Sequence, residues 1–348
     1  MRLLICTQAV DARDPVLGFM HRWIEEFSSR YERITVVCLR AGDHHLPSNV
    51  EVIPLGEKRR FLRALEVCSI AFARRKEYDG VFVHMNQEYV LAVGWLWRIL
   101  RKRIVLWRNH KKGSWLTRVA GRMSHAVCYT SPAAFVARFR NAVQMPIGID
   151  TSFFKLLRNS SGEGTILFLG RLDAVKHPDI FLEALGLLAK EGVTFRADIY
   201  GDPTPGREAY AEELRQRFST AKGVTFHQSV HNNETPALYS SHAIYVNLTP
   251  SGSFDKTIGE AMASGCIVVA ANDVLRDVLP KELMVDSDDS AAVARGIRAA
   301  LTMGEGERVE LAERSRAYVE QEHALALLAK KLLSLFETRA FPSQNGTL

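Results

Sequence analysis

Two cations follow a predicted buried strand in residues 166–179, which read ILFLGRLDAVKHPD. The strand ends at Gly170, Arg171 follows directly, and Lys176 lies five residues further on. Pro178 predicts the start of a helix, because proline is favoured in the first helical turn. Ligands of open α/β folds bind at the carboxyl ends of the strands, and two cations there suit a diphosphate. The alternative is that Arg171 and Lys176 are solvated surface charges.

A second segment, residues 249–270, predicts a helix between two strands and reads TPSGSFDKTIGEAMASGCIVVA. The helix is expected to begin near Lys256 and to end at Gly265, because glycine is common just after a helix. Its first amide groups and its positive dipole end suit phosphate oxygens. Glu260 lies about one turn inside the helix, where its carboxylate could accept two hydrogen bonds from a ribose diol. The alternative is that Glu260 only stabilises the helix dipole.

The elements that must position these residues are short apolar runs alternating with amphipathic stretches of helical length. Runs of about five residues rich in Val and Ile are typical of parallel strands buried on both faces. Their alternation with helices predicts doubly wound parallel α/β sheets. The predicted strands are 2–7, 33–39, 80–84, 103–107, 125–130, 165–169, 194–200, 224–227, 243–247 and 266–270, and the last predicted helices are 307–321 and 324–337.

Length and composition limit the class of protein. The 348 residues predict about two domains. The apolar run 3–6 is too short for a signal peptide, and the run 89–97 is too short to span a bilayer. The five cysteines are scattered without a CxxC pair, which favours reduced thiols in a cytoplasmic protein.

The positive charge of the chain is concentrated in its first half. Residues 1–150 carry 24 Lys and Arg against 13 Asp and Glu, a balance of +11, whereas the remainder balances at −5. Such asymmetry predicts an anionic partner for the first half. Nucleic acid is not expected, because no recognition motif accompanies the charge.

A basic amphipathic helix is predicted within residues 58–76. Phe61, Leu65, Cys68 and Phe72 share one helical stripe, with cations at both ends of the segment. Four of the five tryptophans follow, at positions 95, 97, 107 and 115. These features suit docking on anionic lipid headgroups at the inner face of a membrane, or binding of a phosphate-bearing acceptor. The alternative is a helix packed into the core, with solvated ends and with the tryptophans between the domains.

The phosphate and ribose segments together resemble the donor domain of glycosyltransferase family 4. Residues 170–172 with Lys176 match the Gly-Arg-Leu…Lys pair of that family. Phe254 with residues 260–265 matches the second half of its Glu-(seven residues)-Glu motif. The resemblance covers most of the chain and is strongest over residues 166–269.

The hinge of that family is also matched. Residues 146–153, PIGIDTSF, fit its Pro-x-Gly-x-Asp-x-x-Phe pattern, and residues 126–131 resemble the strand before it. The resemblance implies an α/β protein of the GT-B fold, with two Rossmann-like doubly wound parallel-sheet domains facing across a cleft. The expected parts are an acceptor-side domain 1–148, a hinge 149–164, a nucleotide-sugar domain 165–323, a helix 324–340 that could pack back on the first domain, and a disordered tail 341–348.

The resemblance also implies roles for the residues singled out above. Arg171 and Lys176 would neutralise the donor diphosphate, the backbone amides of Lys256 and Thr257 would cradle it, and Glu260 would hold the ribose hydroxyls.

Further roles extend to the base, to the sugar and to the first domain. Val230 would meet the base through its backbone, and Phe254 belongs to the motif that lines the nucleotide-sugar site. Gly18 would line the phosphate crevice, and His110 would reach toward the transferred sugar. His84, at the end of another strand, is a weaker candidate, and either histidine could be purely structural.

The chain departs from the family pattern at the sugar. The first motif Glu is replaced by Gly252, and the usual Gly after Phe254 is Asp255. Asp255 is therefore the nearest candidate for the missing sugar-reading carboxylate. The first-domain loop has Leu17-Gly18 where two glycines are common. These changes put the identity of the sugar in doubt and leave room for an inactive relative.

The resemblance implies a retaining glycosyltransferase that moves a hexose-type sugar from a UDP-, GDP- or ADP-sugar to a hydroxyl acceptor. A lipid-linked acceptor in glycolipid or cell-surface polysaccharide assembly is expected. No cofactor is expected, and no His/Cys cluster indicates a metal. The alternatives are a non-catalytic sugar-nucleotide-binding protein and a GT-B sugar-nucleotide epimerase. A dehydrogenase is disfavoured, because no GxGxxG follows a strand.

Overall fold

The computed structural model describes residues 1–156, 164–251 and 254–337. Residues 157–163 of the predicted hinge 149–164, Gly252 and the predicted tail 341–348 lie outside the described residues. Contacts between Cα atoms divide the chain into one unit of Met1–Gly148 with the segment from Leu325 onward, and a second unit of Ile149–Ala324.

The first unit holds a parallel sheet of seven described strands in the order β3-β2-β1-β4-β5-β6-β7. Its elements, in chain order, are β1 (Arg2–Val10), α1 (Phe19–Ser28), β2 (Arg33–Ala41), β3 (Val50–Pro54), α2 (Arg60–Ala73), β4 (Gly80–His84), α3 (Glu88–Ile99), β5 (Arg103–Trp107), α4 (Trp115–Met123), β6 (Ala126–Tyr129) and β7 (Ala142–Gln144).

The second unit holds a parallel sheet of five described strands in the order β10-β9-β8-β11-β12. Its elements are β8 (Thr165–Leu169), α5 (Pro178–Lys190), β9 (Arg196–Tyr200), α6 (Glu208–Arg217), β10 (Val224–His227), α7 (Thr235–Ser241), β11 (Ile244–Asn247), α8 (Lys256–Ser264), β12 (Ile267–Ala270), α9 (Ser290–Thr302) and α10 (Glu305–Tyr318). A π-helical turn, Val319–His323, follows α10, and α11 (Leu325–Glu337) belongs to the first unit.

The predicted parallel α/β architecture is confirmed, but two edge strands were not predicted. β3 is half-exposed and reads VEVIP, and β7 has only three residues. Neither is a continuous apolar run, because an edge strand contacts only one neighbour and is less buried. Several predicted boundaries were also wrong by a few residues, and β1 and β2 continue to Val10 and Ala41.

Both faces of the first sheet are covered. One face packs on α1 and α11, with Trp23, Phe27, Leu328 and Leu332 in the core. The other face packs on α2, α3 and α4 through residues such as Val67, Val93, Trp97 and Ala120. Trp107 is also buried, so two of the clustered tryptophans are core residues of this unit. Among the described residues, no helix is both long enough and apolar enough to cross a membrane.

Candidate functional site

The second sheet has a switch point between β8 and β11. From β8 the chain proceeds to β9 and β10 on one side and then returns to β11 on the other side. The loops after β8 and β11 therefore leave the sheet in opposite directions and open a crevice at its carboxyl edge, which is where open α/β folds bind ligands. Both sequence segments singled out for chemistry lie in these two loops.

Lys176 joins the two loops. It ends the short 3₁₀ turn Ala174–Lys176 after β8, and its Nζ lies 3.0 Å from Oγ1 of Thr249, after β11. Nζ also donates to Oδ2 of Asp255, at the start of α8. The side chains of Lys176 and Asp255 are each only 17% exposed, so this is a largely buried ion pair.

Asp255 is held by three donors. Besides Lys176, Nδ2 of Asn247 lies 3.2 Å from Oδ2, and Oγ1 of Thr249 lies 3.2 Å from the same oxygen. Burial raises the pKa of this carboxyl, but the Lys176 charge and these hydrogen bonds outweigh burial and bring the pKa to about 2. Asp255 is therefore ionised throughout the physiological range.

The amino end of α8 follows the loop after β11, at the same edge of the sheet. The first amides of a helix lack partners within the helix, and Asp255 makes no side-chain hydrogen bond to them. The predicted start at Lys256 and the predicted C-cap at Gly265 are both confirmed. Gly265 has φ +89°, and a Cβ there would lie 2.3 Å from a methyl carbon of Leu156. Glycine is thus required to end α8 and turn into β12.

Close packing also fixes the β8 edge of the crevice. A Cβ on Gly201 would lie 1.9 Å from the carbonyl oxygen of Gly170, so the chain after β9 passes directly against the chain after β8. Arg171 is exposed at this edge and forms no ion pair with another described residue. Val230 lies in the loop after β10, as predicted, and its side chain is half-buried.

Glu260 is buried on α8, with 5% of its surface exposed. Oε2 accepts a hydrogen bond of 3.0 Å from the hydroxyl of Tyr239 on α7, which is itself fully buried. This bond leaves the carboxylate in one fixed orientation. A buried carboxylate held in this way can accept hydroxyl hydrogen bonds from a diol without losing side-chain freedom.

Lys256 lies next to two carboxylates at the start of α8. Burial lowers the pKa of its ammonium to about 7, against the opposing attraction of Glu260 and Asp255. At neutral pH the Lys256 ammonium therefore loses its proton easily, and an added anion would favour the protonated form.

Phe254 and His323 form the floor behind Lys256. Phe254 is 4% exposed, and its ring lies edge-on to that of His323, with centroids 4.9 Å apart. Nε2 of His323 lies 3.0 Å from the hydroxyl of Tyr318, whereas Nδ1 is buried with no hydrogen-bond partner among the described residues. Burial, with Lys256 nearby, lowers the pKa of His323 to about 4.

The remaining predicted residues lie in the first unit. Gly18 is buried at the amino end of α1, in the loop after β1, and its amide donates to the carbonyl of Asp14. The first sheet also reverses between β1 and β4, so Gly18 follows one of its two switch-point strands. His110 is exposed three residues after β5, where its Nδ1 lies 2.9 Å from the amide of Lys112.

His84 is a core residue. It is 3% exposed and lies edge-on to Trp23 and Phe19, with a third aromatic neighbour, Trp107. This aromatic packing gives His84 a structural role at the end of β4.

Five residues were predicted from the sequence to lie at one sheet edge, and the structure places all of them there: Lys176, Asp255, Lys256, Thr257 and Glu260. The sequence did not predict that Asn247, Tyr239 and His323 lie near them. Asn247 could have been identified, because a polar residue at the end of an apolar strand is a sequence signal for a site residue. Tyr239 and His323 have no such sequence signal, because they reach the site only through tertiary packing. Among the described residues, no cluster of three or more His, Cys, Asp or Glu could hold a metal ion.

Three kinds of comparison relate this chain to known proteins: a family model, curated relatives and solved structures. Residues 163–303 match the family model for glycosyl transferases group 1. Spore coat protein SA of Bacillus subtilis is 27% identical over 189 residues, which cover 51% of this chain and 49% of that protein. D-inositol 3-phosphate glycosyltransferase of Xylanimonas cellulosilytica is 29% identical over 196 residues, which cover 54% and 43%. The chain thus spans about half the length of the curated relatives it matches.

Solved structures are similar over nearly the whole chain. Anabaena Alr3699/HepE in complex with UDP-glucose has a TM-score of 0.79 at 18% identity, covering 97% of this chain and 99% of that one. Sucrose-phosphate synthase from Thermosynechococcus elongatus has a TM-score of 0.75 at 18% identity, covering 97% and 98%. At this identity the likeness shows the fold, and it confirms the predicted GT-B class. The chain thus has the GT-B fold, and its residues 163–303 are similar to the glycosyl transferases group 1 family.

Proposed function

We propose that this protein is a retaining glycosyltransferase that moves a hexose-type sugar from a nucleoside-diphosphate donor to a hydroxyl acceptor. The observation that carries the proposal is the convergence of Lys176, the amino end of α8 and the oriented Glu260 at the switch point of the second sheet. A cation and the positive end of a helix suit a diphosphate, and an oriented carboxylate one turn inside the helix suits a ribose diol.

Loss of the diphosphate from the donor builds charge on the leaving phosphate. Arg171, Lys176 and the first amides of α8 would stabilise that charge most strongly when it is fully developed, and this is how binding groups accelerate a reaction. The leaving phosphate itself would accept the acceptor proton, so no enzyme base is assigned.

The relatives narrow the choice of donor to test first. The Anabaena protein was solved in complex with UDP-glucose, and the Xylanimonas relative is named a D-inositol 3-phosphate glycosyltransferase. UDP-glucose is therefore the first donor to test, with other UDP-, GDP- and ADP-hexoses beside it. We place the acceptor in glycolipid or cell-surface polysaccharide assembly at the inner face of the membrane. The basic first half of the chain supports an anionic, lipid-linked acceptor.

Donor choice can be measured by thermal shift. The correct nucleotide sugar should stabilise the protein more than its free nucleoside diphosphate does, because contacts to the sugar add binding energy for the folded state only. Equal shifts for every nucleotide sugar and for the free diphosphates would argue against a sugar-reading site.

Transfer is tested with Arg171→Ala and Glu260→Ala, assayed with the best donor and a lipid extract as acceptor. Each variant should lose at least about 100-fold in kcat/KM. The matched controls are Arg314→Ala and Glu310→Ala on α10, which are exposed and should retain full activity. Transfer that survives both site variants would overturn the proposal.

The two alternative functions give different results in the same assay. Donor binding without turnover on any acceptor would indicate a non-catalytic sugar-nucleotide-binding protein, an alternative that the Gly252 departure keeps open. Interconversion of the donor without acceptor would indicate an epimerase.

A further inference from the structure

Three neighbouring helices, α2, α3 and α4, cover one face of the first sheet. Helix α3 packs against both α2 and α4, and all three contribute to the same buried core. Their inner faces are thus accounted for by packing within the first unit.

The outer faces of these helices carry exposed apolar side chains. The described residues include eleven exposed large hydrophobic side chains, and eight of them lie on α2, α3 and α4. They are Phe61, Leu62, Leu65, Phe72, Trp95, Ile99, Trp115 and Leu116. Solvent-exposed apolar side chains concentrated on one layer mark an interaction surface, because such exposure is costly in water.

Helix α2 presents the clearest stripe. Phe61, Leu65 and Phe72 are 70%, 52% and 53% exposed, and at 100° per residue they fall within about 40° of one another around the helix. Val67 and Ala71 on the opposite side are buried. The alternative prediction, in which this stripe packs into the core, is therefore wrong for these three residues. The fourth member of the predicted stripe, Cys68, is half-buried and packs against the core.

Cations surround these apolar side chains. Residues 58–123 contain 16 Lys and Arg against 4 Asp and Glu. Three of the four acids are already paired, Glu66 with Lys58, Glu77 with Arg33 and Arg74, and Asp79 with Arg2. The cationic character of this layer is therefore not cancelled locally.

Charged and aromatic groups also lie side by side on α2. The guanidinium of Arg75 lies 4.4 Å from the ring centroid of Phe72. Arg59, Arg60 and Lys76 are exposed at the ends of the helix and form no ion pair within the described part of the chain. This combination of exposed Phe, Trp and Leu with unpaired cations suits the boundary between lipid headgroups and acyl chains.

We propose that the outer face of α2, α3 and α4 docks on an anionic lipid surface, with the apolar side chains inserted below the headgroups. Charge complementarity selects this occupant. A second copy of the chain would bring the same excess of cations against itself, and like charges in contact are unfavourable. The inference goes beyond the proposed function and does not rest on it, since lipid binding can be measured without any transfer reaction.

The experiment is flotation of the full-length protein with vesicles of phosphatidylcholine alone or with about 30% phosphatidylglycerol. The wild type should bind the anionic vesicles, bind the neutral ones weakly, and dissociate at high salt. The triple variant R59E/R60E/K76E should partition about 100-fold less, since each cation near an anionic surface contributes roughly fivefold. The double variant L65S/F72S should lose about tenfold or more even at low salt.

Controls separate docking from folding. The double variant V309S/R314E changes an exposed apolar and an exposed cationic residue on α10, and it should bind vesicles like the wild type. Thermal melting should show that all variants fold, because every changed side chain is exposed. Equal binding of the wild type and both α2 variants would overturn the proposal. The proposal would also be overturned if the wild type did not bind vesicles and instead dimerised with rising concentration, or bound nucleic acid, in a way that the α2 variants abolish.

Discussion

Lys176 donates from Nζ to the carboxylate of Asp255, joining the loop after β8 to the start of α8. The residue predicted to neutralise a donor phosphate is thus bonded to the residue predicted to read the sugar. The Lys176 ammonium is thus already paired with Asp255, and a phosphate bound at the same place would compete with Asp255 for it. Diphosphate binding would therefore be coupled to the position of Asp255.

Replacing Lys176 by methionine tests the role of the cation. We expect kcat/KM for transfer to fall by roughly 100-fold or more, because the charge on the leaving phosphate loses its nearest ammonium. The free energy of unfolding should also fall by about 3 kcal/mol, since Asp255 would remain buried without its cation. Steady-state kinetics and urea unfolding measure the two effects. Lys190→Met, at the exposed end of α5, is the control, and a similar loss there would contradict the assignment.

Replacing Asp255 by asparagine should have the opposite effect on the free diphosphate. The amide no longer competes for Lys176, so the Kd of a nucleoside diphosphate should decrease by roughly tenfold, or about 1.4 kcal/mol. If Asp255 also reads the sugar, the same variant should lose discrimination among nucleotide sugars. Isothermal titration against a nucleoside diphosphate and several nucleotide sugars measures both quantities. Unchanged or weaker diphosphate binding would show that Asp255 does not restrain Lys176.

Lys256 predicts proton uptake when the donor binds. Its pKa is lowered to about 7, so near pH 8 it is mostly neutral, and a bound diphosphate would raise that pKa and favour the ammonium. Titrations at pH 8 in buffers of different ionisation enthalpy should reveal a net uptake approaching one proton per site. Lys256→Met should remove the uptake, whereas Lys190→Met should leave it unchanged. Uptake that persists in Lys256→Met would assign the proton to another group.

The positions of the cations could be predicted from the sequence, but their partners could not. A buried strand followed by Arg171 and Lys176 places both at the carboxyl edge of a sheet whatever the strand order is. The pairing of Lys176 with Asp255 depends on β8 lying beside β11, and strand periodicity does not specify which strands are neighbours. The apposition of Thr249 and Lys176 has the same origin.

The stripe on α2 shows a different limit of prediction from the sequence. Phe61, Leu65 and Phe72 share a face in any helix, so the pattern itself was predictable. An apolar stripe that faces the core and one that faces a lipid surface have the same periodicity. The distinction requires the burial of Val67 and Ala71 on the opposite side, which only the packing of α2 on the sheet reveals.

His323 is expected to make the free energy of unfolding depend on pH, and no sequence pattern predicted this effect. Its pKa is lowered to about 4 by burial and by Lys256, against about 6.5 in an unfolded chain. Between these two values the unfolded state binds more protons, so the free energy of unfolding should rise with pH from about 4 to 6.5, by up to about 3 kcal/mol. Above pH 6.5 His323 should contribute no further slope.

The variant His323→Gln isolates this effect in the second unit. All five tryptophans lie in the first unit, so tryptophan fluorescence follows that unit alone, whereas far-ultraviolet circular dichroism reports both units. Both signals are recorded during urea unfolding at several pH values, and the dichroism change that is not accompanied by a fluorescence change reports the second unit. The difference between wild type and variant should grow as the pH rises from 4 to 6.5 and then remain constant. His125, in the first unit, also has a pKa lowered to about 4, and its contribution to the tryptophan signal should be the same in both proteins. If the free energy of unfolding depends on pH in the same way for wild type and His323→Gln, then His323 accepts its proton in the folded state. Its burial behind Phe254 would then not hold it neutral.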